Sequence, residues 1–182
     1  MRVLTCDDLG YGDVHALNPE GKIATPRIDR LAQQGMRFTD AHSSSAVCSP
    51  TRYGILTGRY NWRSRLKEGV LQGYSPRLIE PDRLTLPAFL KRQGYETACI
   101  GKWHLGMNWP LKKGGFARDY PDGWNVDYTR PIEQGPTTVG FDSYFGISAS
   151  LDMPPFVFIE NDRVTAIPTT EKKWIRKGPA AE

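Results

Sequence analysis

Three short stretches carry residues able to do chemistry together. The first is Cys48-Ser49-Pro50-Thr51-Arg52. Ser49 is a good N-cap and Pro50 suits a first helical position, so a helix is expected to begin just after Cys48. Cys48 then sits at the positive end of a helix dipole. Orphan N–H groups there, with Arg52 about one turn in, favour a bound anion such as sulfate or phosphate. The second stretch is Asp7-Asp8-Leu9-Gly10-Tyr11-Gly12-Asp13, a glycine-bearing loop after a short apolar run. Adjacent carboxylates repel unless a cation neutralises them, and hard oxygen donors suit Ca²⁺ or Mg²⁺. The third is Gly101-Lys102-Trp103-His104-Leu105-Gly106. Residues two apart on extended backbone point to one side, so Lys102 and His104 can reach the same anion.

Each stretch also has a plainer reading. Cys48 alone is compatible with a buried structural thiol, Asp7-Asp8 with a solvated acidic turn, and Lys102 and His104 with ordinary polar residues at a strand end. The pattern at Cys48 argues otherwise. Cys-x-Pro-x-Arg should occur by chance in a chain of ordinary composition and this length on the order of one time in a hundred, and Leu56-Thr57-Gly58-Arg59 follows it directly. A cysteine phosphatase loop places five residues between its Cys and Arg, which does not match the spacing of Cys48 and Arg52.

The elements that must position these groups read as an α/β chain. Val3 to Cys6 is expected to be a short buried strand that ends at Asp7, the strand edge where open α/β sheets bind ligands. Thr25 caps a helix with Pro26 at its first position, Ile28, Leu31 and Ala32 on one face and Gly35 as its stop. Met36 to Ala41 reads as a strand leading to His42, which the sequence leaves as either structural or near the site. Asn61 to Asp82, spotted with Pro and Gly, is expected to be a long surface connection. A second helix follows, with Thr85 as cap, Pro87 in its first turn, Phe89 and Leu90 facing inward and Gly94 as stop, and then a strand over Glu96 to Ile100. Helix-Gly-strand units of this kind predict a mostly parallel or mixed central sheet flanked by helices. Phe116, Tyr120, Trp109 and Trp124 lie in an irregular tract reaching about residue 139 and are expected to pack under it. Residues 161–182 read as a loop-like tail.

Composition bounds the function classes. The chain has 182 residues, 39% apolar and 24% charged, which suits one globular domain with a real core. Its apolar runs are far shorter than the roughly 20 residues of a membrane span, and no secretion signal is visible at the start. Cys6, Cys48 and Cys99 are scattered and odd in number. That argues against a disulfide framework, and Cys6 and Cys99 are expected in the core. The net charge of +4 is spread along the chain, weakly favouring an anionic substrate. No basic patch with interleaved aromatics points to nucleic acid.

Cys48-Ser49-Pro50-Thr51-Arg52 with Leu56-Thr57-Gly58-Arg59 resembles the signature of the type I, formylglycine-dependent sulfatases of the alkaline phosphatase superfamily. Asp7-Asp8-Leu9-Gly10-Tyr11-Gly12-Asp13, the Gly101 to Gly106 hexapeptide and Val139 to Gly146 resemble further segments of that family in the same order. The resemblance implies an alkaline phosphatase-like fold and an arylsulfatase-like hydrolysis of aryl or carbohydrate sulfate esters. Cys48 would be oxidised to Cα-formylglycine by a formylglycine-generating enzyme. Asp7, Asp8 and the modified Cys48 would be ligands of Ca²⁺, with Mg²⁺ as the alternative. Arg52 would hold the nucleophile, Lys102 would contact sulfate and formylglycine oxygens, His104 would lie beside the nucleophile, and Ser150 would touch the sulfate. Asp13 is left as a turn or cap residue.

The resemblance runs over roughly Val3 to Val164 and corresponds to the amino-terminal portion of a sulfatase catalytic domain, so residues 1–182 are expected to be one incomplete domain. An Asp-Asn pair of metal ligands, another histidine and a second lysine lie further along such proteins. Two alternatives stay open: a phosphonate or phosphate monoester hydrolase of the same superfamily, and an inert fragment. A periplasmic, secreted or lysosome-like location is implied by the resemblance alone.

Overall fold

The computed structural model describes residues 2–118 and 120–170. A mixed four-stranded sheet organises them, in the order β1 (Ala98–Lys102), β2 (Ser143–Ile147), β3 (Ile159–Glu160) and β4 (Arg163–Val164). β1 and β2 are parallel, whereas β3 and β4 add on antiparallel. Three helices accompany the sheet: α1 (Pro26–Gln34), α2 (Cys48–Thr57) and α3 (Leu86–Arg92). The α/β class expected from the sequence is therefore present.

Alternation along the strands divides the sheet into two faces. Cys99, Tyr144 and Ile159 turn toward a core shared with Tyr53 of α2, Trp103, Leu105, Met107 and Trp109. Ala98, Ile100, Phe145 and Phe158 turn the other way, and Ile100 is 82% exposed. The parallel pairing sets Gly101 against Gly146 and Lys102 against Ile147. A Cβ on Gly146 would stand 1.8 Å from the Gly101 carbonyl oxygen and 2.9 Å from the Tyr144 hydroxyl. That hydroxyl donates to the Ile147 carbonyl at 2.8 Å, so the bare glycine pair is what lets Tyr144 tie down the end of the strand that carries Lys102.

Two helix ends are fixed by their caps. Thr85 accepts the Ala88 N–H at the start of α3 and donates to the Val139 carbonyl, which joins this helix to the approach to β2. At the far end of α2, Gly58 takes a left-handed φ of 63° and its N–H closes onto the Gly54 carbonyl at 2.9 Å.

Several expectations are corrected. Val3 to Cys6 and Met36 to Ala41 form no strands. Leu4, Met36 and Phe38 are exposed, as is Cys6, and neither segment finds a ladder partner among the described residues. Hydrophobic composition alone does not make a strand when no edge lies beside it. Asn61 to Asp82 is not a surface connection: Leu71, Tyr74, Leu78 and Ile79 are buried in the core. Its irregular backbone is satisfied from outside, the Leu78 N–H donating to the Leu105 carbonyl and the Ser75 carbonyl accepting the Met107 N–H. β1 begins two residues later than expected because Thr97 is engaged elsewhere. Its N–H donates to Asp142 and its hydroxyl reaches the Gly140 carbonyl.

On α3, Leu90 is half-buried but Phe89 is 49% exposed. Thr25 occupies its cap position without capping, since its hydroxyl donates to Asp29 and accepts the His15 N–H. Trp109 packs edge-on against Tyr74 and Tyr128 as expected, whereas Trp124 is exposed. The side chain of Tyr120 lies outside the described residues. The tail expected from residue 161 contains β4, paired as a hairpin with β3, and its part at 171–182 is likewise outside them.

Gly146→Ala is expected to cost about 3 kcal/mol of stability or more, since backbone rather than a flexible side chain meets the new methyl. Urea denaturation measures it, and a loss below about 1 kcal/mol would contradict the strand contact.

Candidate active site

Three segments distant in sequence meet at one carboxylate. Lys102, the last residue of β1, places its ammonium on Asp7 Oδ2, and Arg52 of α2 reaches the same oxygen from 3.6 Å. Arg52 also donates from its guanidinium to the Lys102 carbonyl at 2.6 Å, which pins α2 to the end of β1. Burial pushes the Asp7 carboxyl up, but the bonded Lys102 ammonium and the Arg52 guanidinium outweigh it and hold Asp7 below the usual carboxylate range. Two cations face one anion here, so the cluster carries an excess positive charge. Arg52 Nε–H is buried with no acceptor among the described residues, which leaves a donor available to an incoming anion.

Cys48 is the first residue of α2 and is half-buried. The helix begins two residues earlier than expected, with Val47 rather than Ser49 at the cap position. Ser49 is no cap: its hydroxyl is buried and accepts the Leu71 N–H at 3.2 Å. Further along α2, the hydroxyl of fully buried Tyr53 donates to Glu80, whose carboxylate also faces Arg59 and Arg83.

His104 lies beyond β1, not on extended backbone. Its φ is 55°, so the argument from residues two apart does not hold there. Its N–H is held by the Ser148 carbonyl at 2.9 Å, its ring is 1% exposed, and Nε2 lies 2.7 Å from the Leu71 carbonyl oxygen. Burial lowers its pKa below the ordinary histidine value. The Leu71 bond opposes that shift, whereas the charges of Lys102 and Arg52 add to it, so the ring is neutral at neutral pH.

The remaining expected residues stand apart. Asp8 is exposed and makes no hydrogen bond or ion pair among the described residues. The Ser150 carbonyl accepts the Met153 N–H in the turn after β2, and its hydroxyl finds no partner among them. Asp13 closes its own turn by accepting the Gly10 N–H at 2.7 Å. His42 pairs with Asp40 on the exposed surface and has no part in the cluster. A cavity of about 250 Å³ touches Arg52 and Lys102, but neither Asp7, Asp8, Cys48 nor His104 lines it. Its lining is mixed, with Thr5, Glu96 and Thr97 beside Leu56, Leu90 and Phe141.

Sequence reasoning missed Leu71, Tyr53 and Glu80, and gave Ser49 the role of a helix cap that it does not play. Nothing in the chain marks Leu71, because its backbone rather than its side chain takes part. The Asp7 and Asp8 carboxylates are donors of the kind a hard divalent cation takes, but no group of three or more His, Cys, Asp or Glu gathers among the described residues. Two carboxylates fall short of the six to eight oxygens Ca²⁺ takes.

A family model described as Sulfatase matches residues 3–170. The N-acetylgalactosamine-6-O-sulfatase of Bacteroides thetaiotaomicron is 40% identical over 161 residues, 88% of this chain and 29% of that protein. Arylsulfatase G of Mus musculus is 35% identical over 154 residues, 83% of this chain and 24% of its own. A solved structure from work on glycosaminoglycan metabolism by Bacteroides thetaiotaomicron superposes with a TM-score of 0.74 at 38% identity, covering 88% of this chain and 30% of that one. The PsFucS1 sulfatase of Pseudoalteromonas sp. gives a TM-score of 0.52 at 31% identity, covering 78% and 24%. The chain thus spans less than a third of the length of each of these relatives. Like them it has an alkaline phosphatase-like architecture, of which it covers only part. No helix among the described residues is long and apolar enough to cross a membrane.

Replacing Lys102 by Met removes the strongest attraction on the Asp7 carboxyl, so Asp7 is expected to titrate higher than in the wild type. The stability this pair contributes is present above the unfolded Asp value near about 4 and is lost as pH falls through the lower folded value. The variant should therefore lose part of that acid-side dependence. Carboxyl-detected NMR titration reads both chains, and an unchanged Asp7 midpoint would sink the assignment.

Proposed function

The chain belongs to the sulfatase family, and on that footing we propose that it supplies the nucleophile side of a sulfate monoester hydrolase. The observation that supports this reading most is the meeting of Asp7, Arg52 and Lys102 at one point, with Cys48 opening the helix that carries Arg52. A dianionic phosphate or a sulfate monoester would both feel the excess positive charge. Family membership favours sulfate, and the name of the 40% identical relative favours a sugar sulfate over an aryl one.

In the proposed mechanism, a formylglycine-generating enzyme oxidises Cys48 to an aldehyde, with molecular oxygen as the oxidant and the sulfur lost as hydrogen sulfide. One hydroxyl of the aldehyde hydrate attacks sulfur as the S–O bond to the alcohol breaks, and the alcohol leaves with a proton from a donor beyond these residues. Loss of the second hydroxyl's proton then breaks the bond between the position 48 carbon and the sulfate oxygen, restoring the aldehyde and freeing sulfate, so one hard step becomes two. Asp7 and Asp8 would hold a divalent cation, Ca²⁺ by the hardness of their oxygens, together with position 48 and donors beyond these residues. Such a cation supplies charge stabilisation and lowers the pKa of a bound hydroxyl. Lys102 and the unengaged Nε–H of Arg52 are the groups that stabilise charge on the sulfuryl oxygens. His104, neutral and buried, is suited to take the proton of the second hydroxyl. Ser150 is proposed to contact the sulfate where it borders the turn after β2. An exported compartment, periplasmic, extracellular or lysosome-like, is proposed on family kinship alone.

Mass spectrometry of the peptide containing Cys48, from a host with the maturation enzyme, is expected to show the mass decrease of thiol-to-aldehyde conversion. Cys48→Ala is expected to abolish turnover of paired sugar and aryl sulfates by the protein that carries this chain. An unmodified thiol, retained turnover in the variant, or a preference for the matching phosphate esters would each overturn the reading.

A further inference from the structure

Ser49 stands beside the nucleophile position yet caps nothing. Its hydroxyl, wholly buried, accepts the Leu71 N–H at 3.2 Å. Leu71 in turn offers its carbonyl oxygen to His104 Nε2 at 2.7 Å. A carbonyl only accepts, so the proton of a neutral ring in this contact must sit on Nε2, and Nδ1 must carry the lone pair. Nδ1 is buried and has no partner among the described residues. Unsatisfied buried acceptors are uncommon in folded proteins, and one beside a charge cluster is the form expected of a group held ready for a proton.

The His104 backbone leaves the ring little choice of place, because its φ is 55° and its N–H is held by the Ser148 carbonyl. What decides the tautomer is therefore the aim of the Leu71 carbonyl. Among the described residues, the Leu71 N–H is tied only to Ser49.

We propose that Ser49 is a positioning residue: through the backbone of Leu71 it fixes His104 with its proton on Nε2 and its free lone pair on Nδ1. The inference deepens the reading of His104 as the base beside position 48 and rests on it for its functional meaning. The hydrogen-bond relay itself can be tested without any turnover. It joins the residue after the nucleophile to the proton acceptor, so one helix start would set the place of both.

Long-range nitrogen-15 NMR of the unmodified 182-residue chain tests it, since His15, His42 and His104 are its only histidines. For His104 the expected result is a slowly exchanging proton on Nε2 and an unprotonated Nδ1. In Ser49→Ala, exchange of that proton with water should quicken by up to about tenfold, the worth of one good hydrogen bond, and the ring nitrogens should move toward the averaged values of a tautomer mixture. Ser49→Thr, which keeps the hydroxyl, should restore the wild-type pattern. A proton on Nδ1 in the wild type overturns the proposal, as does an Ala variant whose ring signals match the wild type. If Ser49→Ala does not fold, Ser49→Cys, close in size but a weak acceptor, must shift His104 in the same direction, and an unmoved ring there is equally fatal. A thiol left unconverted at position 48, or absent turnover, would defeat the sulfatase reading while leaving these spectra unchanged.

Discussion

One carboxylate oxygen holds this site together. Asp7 Oδ2 receives Lys102 and faces Arg52 at the same time, and all three side chains are largely withdrawn from solvent. Two unit charges about 4 Å apart near a protein surface interact by roughly 4 kcal/mol before desolvation is subtracted. Withdrawing two cations for one anion is stable only if the second cation finds other acceptors. Arg52 does so by donating to the Lys102 carbonyl, and what is left over is the buried Nε–H. An oxyanion entering here, as the proposed function requires, would compete with Asp7 for donors already aimed at a single point. Lys102 and Arg52 are therefore gathered at one point before anything binds, and Asp7 is the group that gathers them.

The sheet fixes where that point lies. Lys102 is the last residue of β1, and its position is set by the parallel register that puts Gly101 against Gly146. A slip of one residue would turn Lys102 to the opposite face and bring a side chain against the close backbone contact. Tyr144 reads the same register from below, with its hydroxyl on the Ile147 carbonyl. Asp142 ties the start of β2 to α3: the Lys91 ammonium, with the Thr97 N–H and hydroxyl, holds its carboxyl down to about 2. Packing on one face of two short strands thus governs a charge cluster at their end.

How much of this could be read from the chain depends on the kind of signal. The motifs around Cys48, Asp7 and Lys102 were legible because their residue types are chemically demanding, and α1 and α3 were legible because Thr-Pro and glycine mark their ends. The strands expected at Val3 to Cys6 and Met36 to Ala41 were not found, because β-propensity says what fits a sheet but not whether an edge lies near. The buried role of Leu71, Tyr74, Leu78 and Ile79 was hidden in a segment without periodicity, where a core is made by irregular backbone whose hydrogen bonds come from distant residues. Phe89 and Trp124 were misplaced for the complementary reason: a large apolar side chain is no guarantee of burial.

That irregular segment anchors α2. The helix is attached to residues 71–80 at two levels, by the Ser49 hydroxyl on the Leu71 N–H near its start and by the Tyr53 hydroxyl on Glu80 one turn later. Burial pushes the Glu80 carboxyl up, but its own backbone N–H, the Tyr53 hydroxyl, Arg83 and Arg59 together hold it below the usual range. Glu80 therefore stays an acceptor for Tyr53 throughout the neutral range. A third attachment, Arg52 to the Lys102 carbonyl, leads toward the sheet instead. Attachment to two separate bodies at successive positions of one helix leaves it no axis to roll about. The placement of Cys48 relative to Lys102 then follows from side chains of α2 anchored on the Leu71 N–H and the Lys102 carbonyl, which is the kind of fixed geometry that the proposed reaction needs.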